Sequence, residues 1–265
     1  MFKINGEKLE IERFPDETQR LNIAVDTPHV TIEWLFEKDE EMTLFFVVKH
    51  LREKYAVKTI HLYMPYIPHA RMDRVNSQRQ VFTLKYFCDF INSLCFAKVI
   101  VRDAHSHVSL ALLNNVASEP IDAIIKHLTD VLLDAKRDIV FYPDEGSSKR
   151  YAKLISFPYI FGIKTRDWST GQILTLDMHG EVPKPPFHVL IVDDISSYGG
   201  TFLHSAKKLK ELGADKIYLY ITHCENAILK GELIHSGLIA KIYTTQSIFT
   251  QNHPLIEVIG GTICE

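Results

Sequence analysis

The chain has 265 residues, 46% hydrophobic and 24% charged, the proportions of an ordinary globular protein with one large domain or two smaller ones. Its formal charge of -3, with Lys and Arg dispersed, gives no electrostatic support to a nucleic-acid partner. No apolar run approaches the roughly eighteen residues that span a bilayer, and residues 1–6 lack the pattern of a signal peptide. Cys88, Cys95, Cys224 and Cys264 show no paired spacing, so a cytoplasmic protein with reduced thiols is predicted, with no membrane partner.

In chain order, residues 60–64 read as a strand ending at Pro65, 81–94 as a helix and 98–101 as a strand. A weak boundary follows at Ser118-Glu119-Pro120. Residues 138–142 then read as a strand, 148–155 as a helix, 188–192 as a strand and 201–212 as a helix. In the last of these Phe202, Ala206, Leu209 and Leu212 fall at helical spacing, Lys207, Lys208 and Lys210 face outward, and Gly213 supplies the stop. Residues 216–222 are another strand. Such alternation predicts an α/β protein with mainly parallel sheets, in two similar halves.

The most informative segment is V-L-I-V-D-D-I-S-S-Y-G-G-T at 189–201, a buried strand ending in two acids, then a Ser/Gly turn opening a helix. Such a turn aims backbone N–H groups at an anion, helped by the helix N-terminus. Ser196, Ser197, Tyr198, Gly199, Gly200 and Thr201 would form the cradle, while Asp193 and Asp194 would accept hydrogen bonds from a ribose diol. The plainer alternative is a helix cap and a tight turn.

This segment resembles the phosphoribosyl-diphosphate motif of type I phosphoribosyltransferases and of the ribose-phosphate pyrophosphokinases. The resemblance implies two pseudo-repeated type I phosphoribosyltransferase-like domains. Residues 1–120 would be the ATP side, and 121–265 would carry the ribose-phosphate site, with the last segment returning to the first domain.

Four further segments resemble the pyrophosphokinases rather than the transferases. M-P-Y-I-P-H-A-R-M-D-R at 64–74 is similar to the family's ATP-contact segment, implying ATP contacts through Arg71 and Arg79; a solvated basic loop is the alternative. V-R-D-A-H-S-H at 101–107 resembles its metal-binding strand end, with His105 as the ligand. Strand alternation would set Asp103, His105 and His107 on one side, which leaves open a transition-metal site or a core histidine at His107. Y-P-D-E-G-S at 142–147 resembles a segment whose acid binds Mg²⁺, here Asp144, although by itself P-D-E-G is a turn. Lys164 and Arg166 stand where the family has its catalytic K-x-R loop, two cations to neutralise a transferring diphosphate.

Phe14 and Asp16 resemble the family's adenine-contact loop, which reaches ATP in a neighbouring subunit and so implies a homo-oligomer. Thr222-His223-Cys224 and residues 244–248 echo two late family elements. The implied function is an ATP- and Mg²⁺-dependent transfer of diphosphate to the anomeric hydroxyl of a ribose 5-phosphate unit. A phosphoribosyltransferase and a non-catalytic regulatory protein on the same fold are the alternatives.

Ser197 and Tyr198 replace the Asp and Thr usual in the family's phosphate loop. A ring in a tight anion cradle suits an acceptor whose 5-phosphate carries a further group, as in a phage-type subgroup that acts on ADP-ribose for NAD⁺ rebuilding. ADP-ribose is the preferred acceptor on this reading and ribose 5-phosphate the alternative. Met72 and Thr18 replace a Gln and a Glu of the ATP-contact segments, so ATP affinity or base selectivity is expected to differ. The short N- and C-terminal parts imply that the family's allosteric control and hexamer are not carried over.

Overall fold

In the computed structural model residues 1–166 and 173–260 are described, and for 164–166 and 173–176 the description is confined to the backbone. The chain divides into two compact units, Met1–Pro120 and Ile121–Glu265.

The first unit contains β1 (Phe2–Ile4), β2 (Glu7–Lys8), β3 (Ile11–Arg13), β4 (Gln19–Leu21), β5 (His29–Trp34), α1 (Glu41–Lys54), β6 (Thr59–Tyr63), α2 (Thr83–Ser93), β7 (Lys98–Arg102), α3 (His107–Leu112) and β8 (Val116–Glu119). Its main sheet runs β2-β1-β5-β6-β7-β8, with β5 to β8 parallel, while β3 and β4 form a separate hairpin. Leu44, Val47, Val48 and Leu51 make one face of α1, and Leu84, Phe87 and Ile91 one face of α2; both faces are buried in a core with Ile32, Leu62 and Val99. Each such side chain contributes roughly 1.5–3 kcal/mol of hydrophobic stabilisation.

The second unit contains α4 (Asp122–Leu132), β9 (Ile139–Tyr142), α5 (Glu145–Tyr151), β10 (Tyr159–Arg166), β11 (Ile173–His179), β12 (Phe187–Ser196), α6 (Gly200–Glu211), β13 (Ala214–Cys224), β14 (Lys241–Thr245) and β15 (Ile256–Ile259). The sheet order is β11-β10-β9-β12-β13-β14-β15, all parallel except β11, which turns back along β10. Two cores cover its faces, as the near-continuous apolar runs of β9 and β12 require. Val189 and Ile191 pack with Phe202, Ala206 and Leu209 of α6. Leu190 and Val192 face the other way, with Tyr142, Tyr151 and the α4 residues Ile125 and Leu128. Gly213 ends α6 at φ +95°, a conformation few side chains tolerate.

Several expectations are corrected. The strand read as 188–192 continues to Ser196, so Asp193 and Asp194 sit inside it rather than beyond its end. The helix read as 148–155 begins at Glu145, because Asp144 caps it, and it ends at Tyr151. Asp103, His105 and His107 do not share a strand face: β7 stops at Arg102, Asp103 turns the chain at φ 42°, and His107 already opens α3. β15 pairs with β14 at the edge of the second sheet, and residues 261–265, the end of the last segment, lie outside the described residues.

Candidate active site

In the second sheet the chain passes from β9 through α5 to β10 on one side, whereas β12 lies on the other side of β9 and leads through α6 to β13. Connections therefore diverge at the carboxyl ends of β9 and β12, which leaves the crevice where open α/β sheets bind ligands. Asp144 follows β9, and the segment 193–201 ends β12.

Asp144 is the N-cap of α5, and its Oδ1 accepts from Ser147 N at 2.9 Å and Ser147 Oγ at 3.0 Å in a reciprocal capping box. The two acids of β12 diverge, as adjacent strand residues must. Asp193 is partly exposed and accepts a hydrogen bond from Asp194 N at 3.1 Å. Asp194 is 6% exposed and pairs with Arg150 Nη1 of α5 at 3.1 Å. Arg150 was passed over in the sequence; its signal was its place on the helix that the P-D-E-G-S segment opens.

Beyond the strand, Ser196 is buried, Ser197 partly buried, and Tyr198 59% exposed. Gly199 takes φ +79° with Leu233 directly above it: a Cβ there would come within 2.8 Å of Leu233 Cδ2. Gly231 lies against the Tyr198 carbonyl so closely that a Cβ would overlap it. Residues that follow β13 thus form the floor of the loop. At Gly200, by contrast, an added Cβ meets nothing within 4 Å, and no side chain caps α6. Open space before the uncapped N-terminus of a twelve-residue helix suits a phosphate, with Thr201 in its first turn.

The late T-H element backs this edge. His223 Nδ1 lies 3.0 Å from Ser247 Oγ, and Thr245 Oγ1 and Ser247 Oγ donate to the Thr222 carbonyl at 2.8 and 3.3 Å. All four residues are buried, so the cluster is a rigid support for β13 and β14 beside the loop.

Phe14, Asp16, Arg71, Arg79 and His105 all belong to the first unit. Phe14 is 50% exposed in the β3–β4 turn. There the Thr18 hydroxyl, at 2.6 Å, and then the Thr18 N–H, at 3.1 Å, hold the Asp16 carboxyl below its ordinary pKa. Arg71 and Arg79 are exposed in the segment joining β6 to α2. Met64, Ile67 and Ala70 anchor that segment in the core, and Met72 packs against the same core, which accounts for an apolar residue there. His105 is partly buried between β7 and α3, and His107 is exposed. Nearby, Arg102 forks onto Glu119 at 2.8 and 3.0 Å and reaches Tyr63 OH at 2.7 Å, a buried ion pair tying β7 to β8.

Lys164 and Arg166 fall on the backbone of β10, with a register shift between Thr165 and Arg166; their side chains lie outside the described residues. Among the described residues no group of three or more His, Cys, Asp or Glu is arranged to hold a metal. A carboxylate oxygen such as that of Asp144 is the kind of donor that Mg²⁺ takes alongside substrate oxygens and water. No helix among the described residues is long and apolar enough to cross a membrane.

No family model matches the chain. Its sequence is nevertheless 28% identical over 225 residues to the ribose-phosphate pyrophosphokinase of Thermococcus kodakarensis, covering 82% of this chain and 77% of that protein. It is 26% identical over 225 residues to the enzyme of the same name from Pyrococcus abyssi, covering 81% and 75%. The chain is thus similar in sequence to ribose-phosphate pyrophosphokinases over most of its length. Proteins of that name are diphosphotransferases. The crystal structure of phosphoribosylpyrophosphate synthetase from Mycobacterium smegmatis shares the fold, with a TM-score of 0.75 and 18% identity over 95% of this chain and 85% of that one. Both sheets are thus of the type I phosphoribosyltransferase kind.

The capping role of Asp144 and a role toward a metal are separable by substitution. Asp144→Asn is expected to keep stability within about 1 kcal/mol, since Asn caps helices as well as Asp, whereas Asp144→Ala costs about 1 kcal/mol. Urea unfolding measures both. If Asp144 also serves the metal, the Asn variant alone shows native stability with a raised Mg²⁺ requirement.

Proposed function

We propose that the chain is an ATP- and Mg²⁺-dependent pyrophosphokinase acting on the anomeric hydroxyl of a ribose 5-phosphate unit. The observation that carries this reading is the crevice at the ends of β9 and β12, with an acid at one wall and an acid pair with an open anion cradle at the other. The 5-phosphate of the acceptor rests on residues 197–201, and its diol on Asp193 and Asp194. The anomeric oxygen attacks the β-phosphorus of ATP, a new O–P bond forms, and the bond from that phosphorus to the α,β-bridging oxygen breaks. AMP leaves, and the hydroxyl proton passes to solvent. Lys164 and Arg166 clamp the transferring diphosphate. Phe14, Asp16, Arg71 and Arg79 serve ATP, and the exposed Phe14 suits a nucleotide held by a neighbouring copy in a homo-oligomer. His105 in the first unit and Asp144 in the second are each a candidate to serve Mg²⁺, which would supply neutralisation of phosphate charge.

Phosphorus NMR of a mixture with ATP, Mg²⁺ and ribose 5-phosphate is expected to show a diphosphate on C1 together with AMP. ADP and a ribose bisphosphate would instead make the protein a monophosphokinase, and no change here, with turnover only when phosphoribosyl diphosphate and a base are supplied, would favour a transferase.

The relatives' names speak for ribose 5-phosphate as acceptor. One observation favours ADP-ribose as a second reading: Tyr198 is 59% exposed at the cradle, an open ring for a group beyond the 5-phosphate. The double variant Ser197→Asp, Tyr198→Thr is then expected to shift the ratio of kcat/KM about tenfold toward ribose 5-phosphate, the order of one aromatic contact. An unchanged ratio removes the loop as the selector.

A further inference from the structure

We propose that Arg150 is a positioning residue of the acceptor site, acting through Asp194 to fix the acid-bearing strand against the helix that carries Asp144. The inference rests on the reading given above and names a residue that reading does not use.

Strand parity starts the argument. Leu190 and Val192 lie on the face of β12 that packs with Tyr142 and Tyr151, so Asp194, two residues on, emerges on that same face. The guanidinium of Arg150 meets it there, 3.1 Å from Nη1 to Asp194 Oδ2. Arg150 is itself oriented: its Cζ lies 5.7 Å from the ring centroid of buried Tyr151, which stacks on Tyr142 at the end of β9. At the other end of α5 the Asp144 capping box fixes the helix start. A single rigid path therefore runs from Asp144 through α5 and Arg150 to Asp194 and the loop that follows. It spans the two walls of the crevice, whose separation decides whether an acceptor held by one meets groups on the other. The ion pair is 30% exposed on the Arg side and 9% on the Asp side, buried enough for solvent to screen it little.

The consequence is specific to the acceptor. Arg150→Gln is expected to raise the KM for ribose 5-phosphate tenfold or more, roughly the worth of a charge-assisted hydrogen bond, with the KM for ATP within about twofold. Adding Arg150→Gln to Asp194→Asn should raise the acceptor KM little beyond Asp194→Asn alone, because Arg150 acts through that acid. Arg150→Lys, which keeps the charge without the planar fork, should fall between and serves if the Gln variant fails to fold. A merely structural role would lower the active fraction, and so kcat, and leave both KM values alone. Steady-state kinetics on the wild type and the four variants decide the matter. An unaltered acceptor KM in Arg150→Gln, or in Arg150→Lys should the former not fold, overturns the proposal, as do effects of the two single variants that multiply. Wild-type protein without turnover on any acceptor would instead remove the proposed reaction itself.

Discussion

Alanine at Lys164 or at Arg166 is expected to lower kcat by about 10³-fold, with the fold intact. Transfer of a diphosphate demands little covalent help from the protein; charge on the moving group must be matched by cations placed in advance. Both residues lie at the end of β10, where the pairing with β11 shifts register between Thr165 and Arg166. Circular dichroism and the melting temperature are the controls for the fold, and neither is expected to move. Loss in kcat with little change in the KM for the acceptor is the signature of a contact made in the transition state. Near-native rates in either variant would remove the cation clamp.

The second large effect is expected at a residue that touches no substrate. Gly231 adopts φ −85°, open to any residue, yet its Cα lies against the carbonyl of Tyr198. Gly231→Ala must push the Tyr198 peptide away, because backbone meets the new methyl group and no flexible side chain can yield. Overpacking of this kind costs about 1–3 kcal/mol. Displacing the loop by about 1 Å should lower kcat/KM about 10²-fold. Gly200→Ala is the matched control, since its Cβ would enter open space. It should leave stability nearly native and affect acceptor binding alone. If Gly231→Ala keeps full activity, the segment after β13 does not set the loop.

What the sequence made legible follows from where its signals were local. The segment 188–212 was readable because an apolar run, a glycine pair and a helical period of apolar residues follow one another without interruption. The end of β12 was misjudged because Asp193 and Asp194 look like punctuation. Inside the sheet they continue the ladder, with Asp193 opposite Ile221 and Ile195 opposite His223. Helix α1 escaped notice because Met42 and Phe46 leave its outer face partly apolar as well, which blurs the period. Alternation was extended wrongly through Asp103, where a left-handed turn that no residue pattern announces ends β7. Arg150 and the Gly231 contact were invisible for a different reason: each joins residues more than thirty positions apart. The acid at Asp144 was singled out through resemblance alone, and its capping box was not, although the Asp-x-x-Ser spacing carried it.

The central claim is tested most directly by acceptor-dependent AMP release from ATP and Mg²⁺, with no acceptor, ribose 5-phosphate or ADP-ribose in parallel. The account predicts AMP in step with acceptor consumed, and none without acceptor; which acceptor is faster assigns the natural substrate. Absence of AMP with both acceptors, or equal release without either, would contradict a pyrophosphokinase.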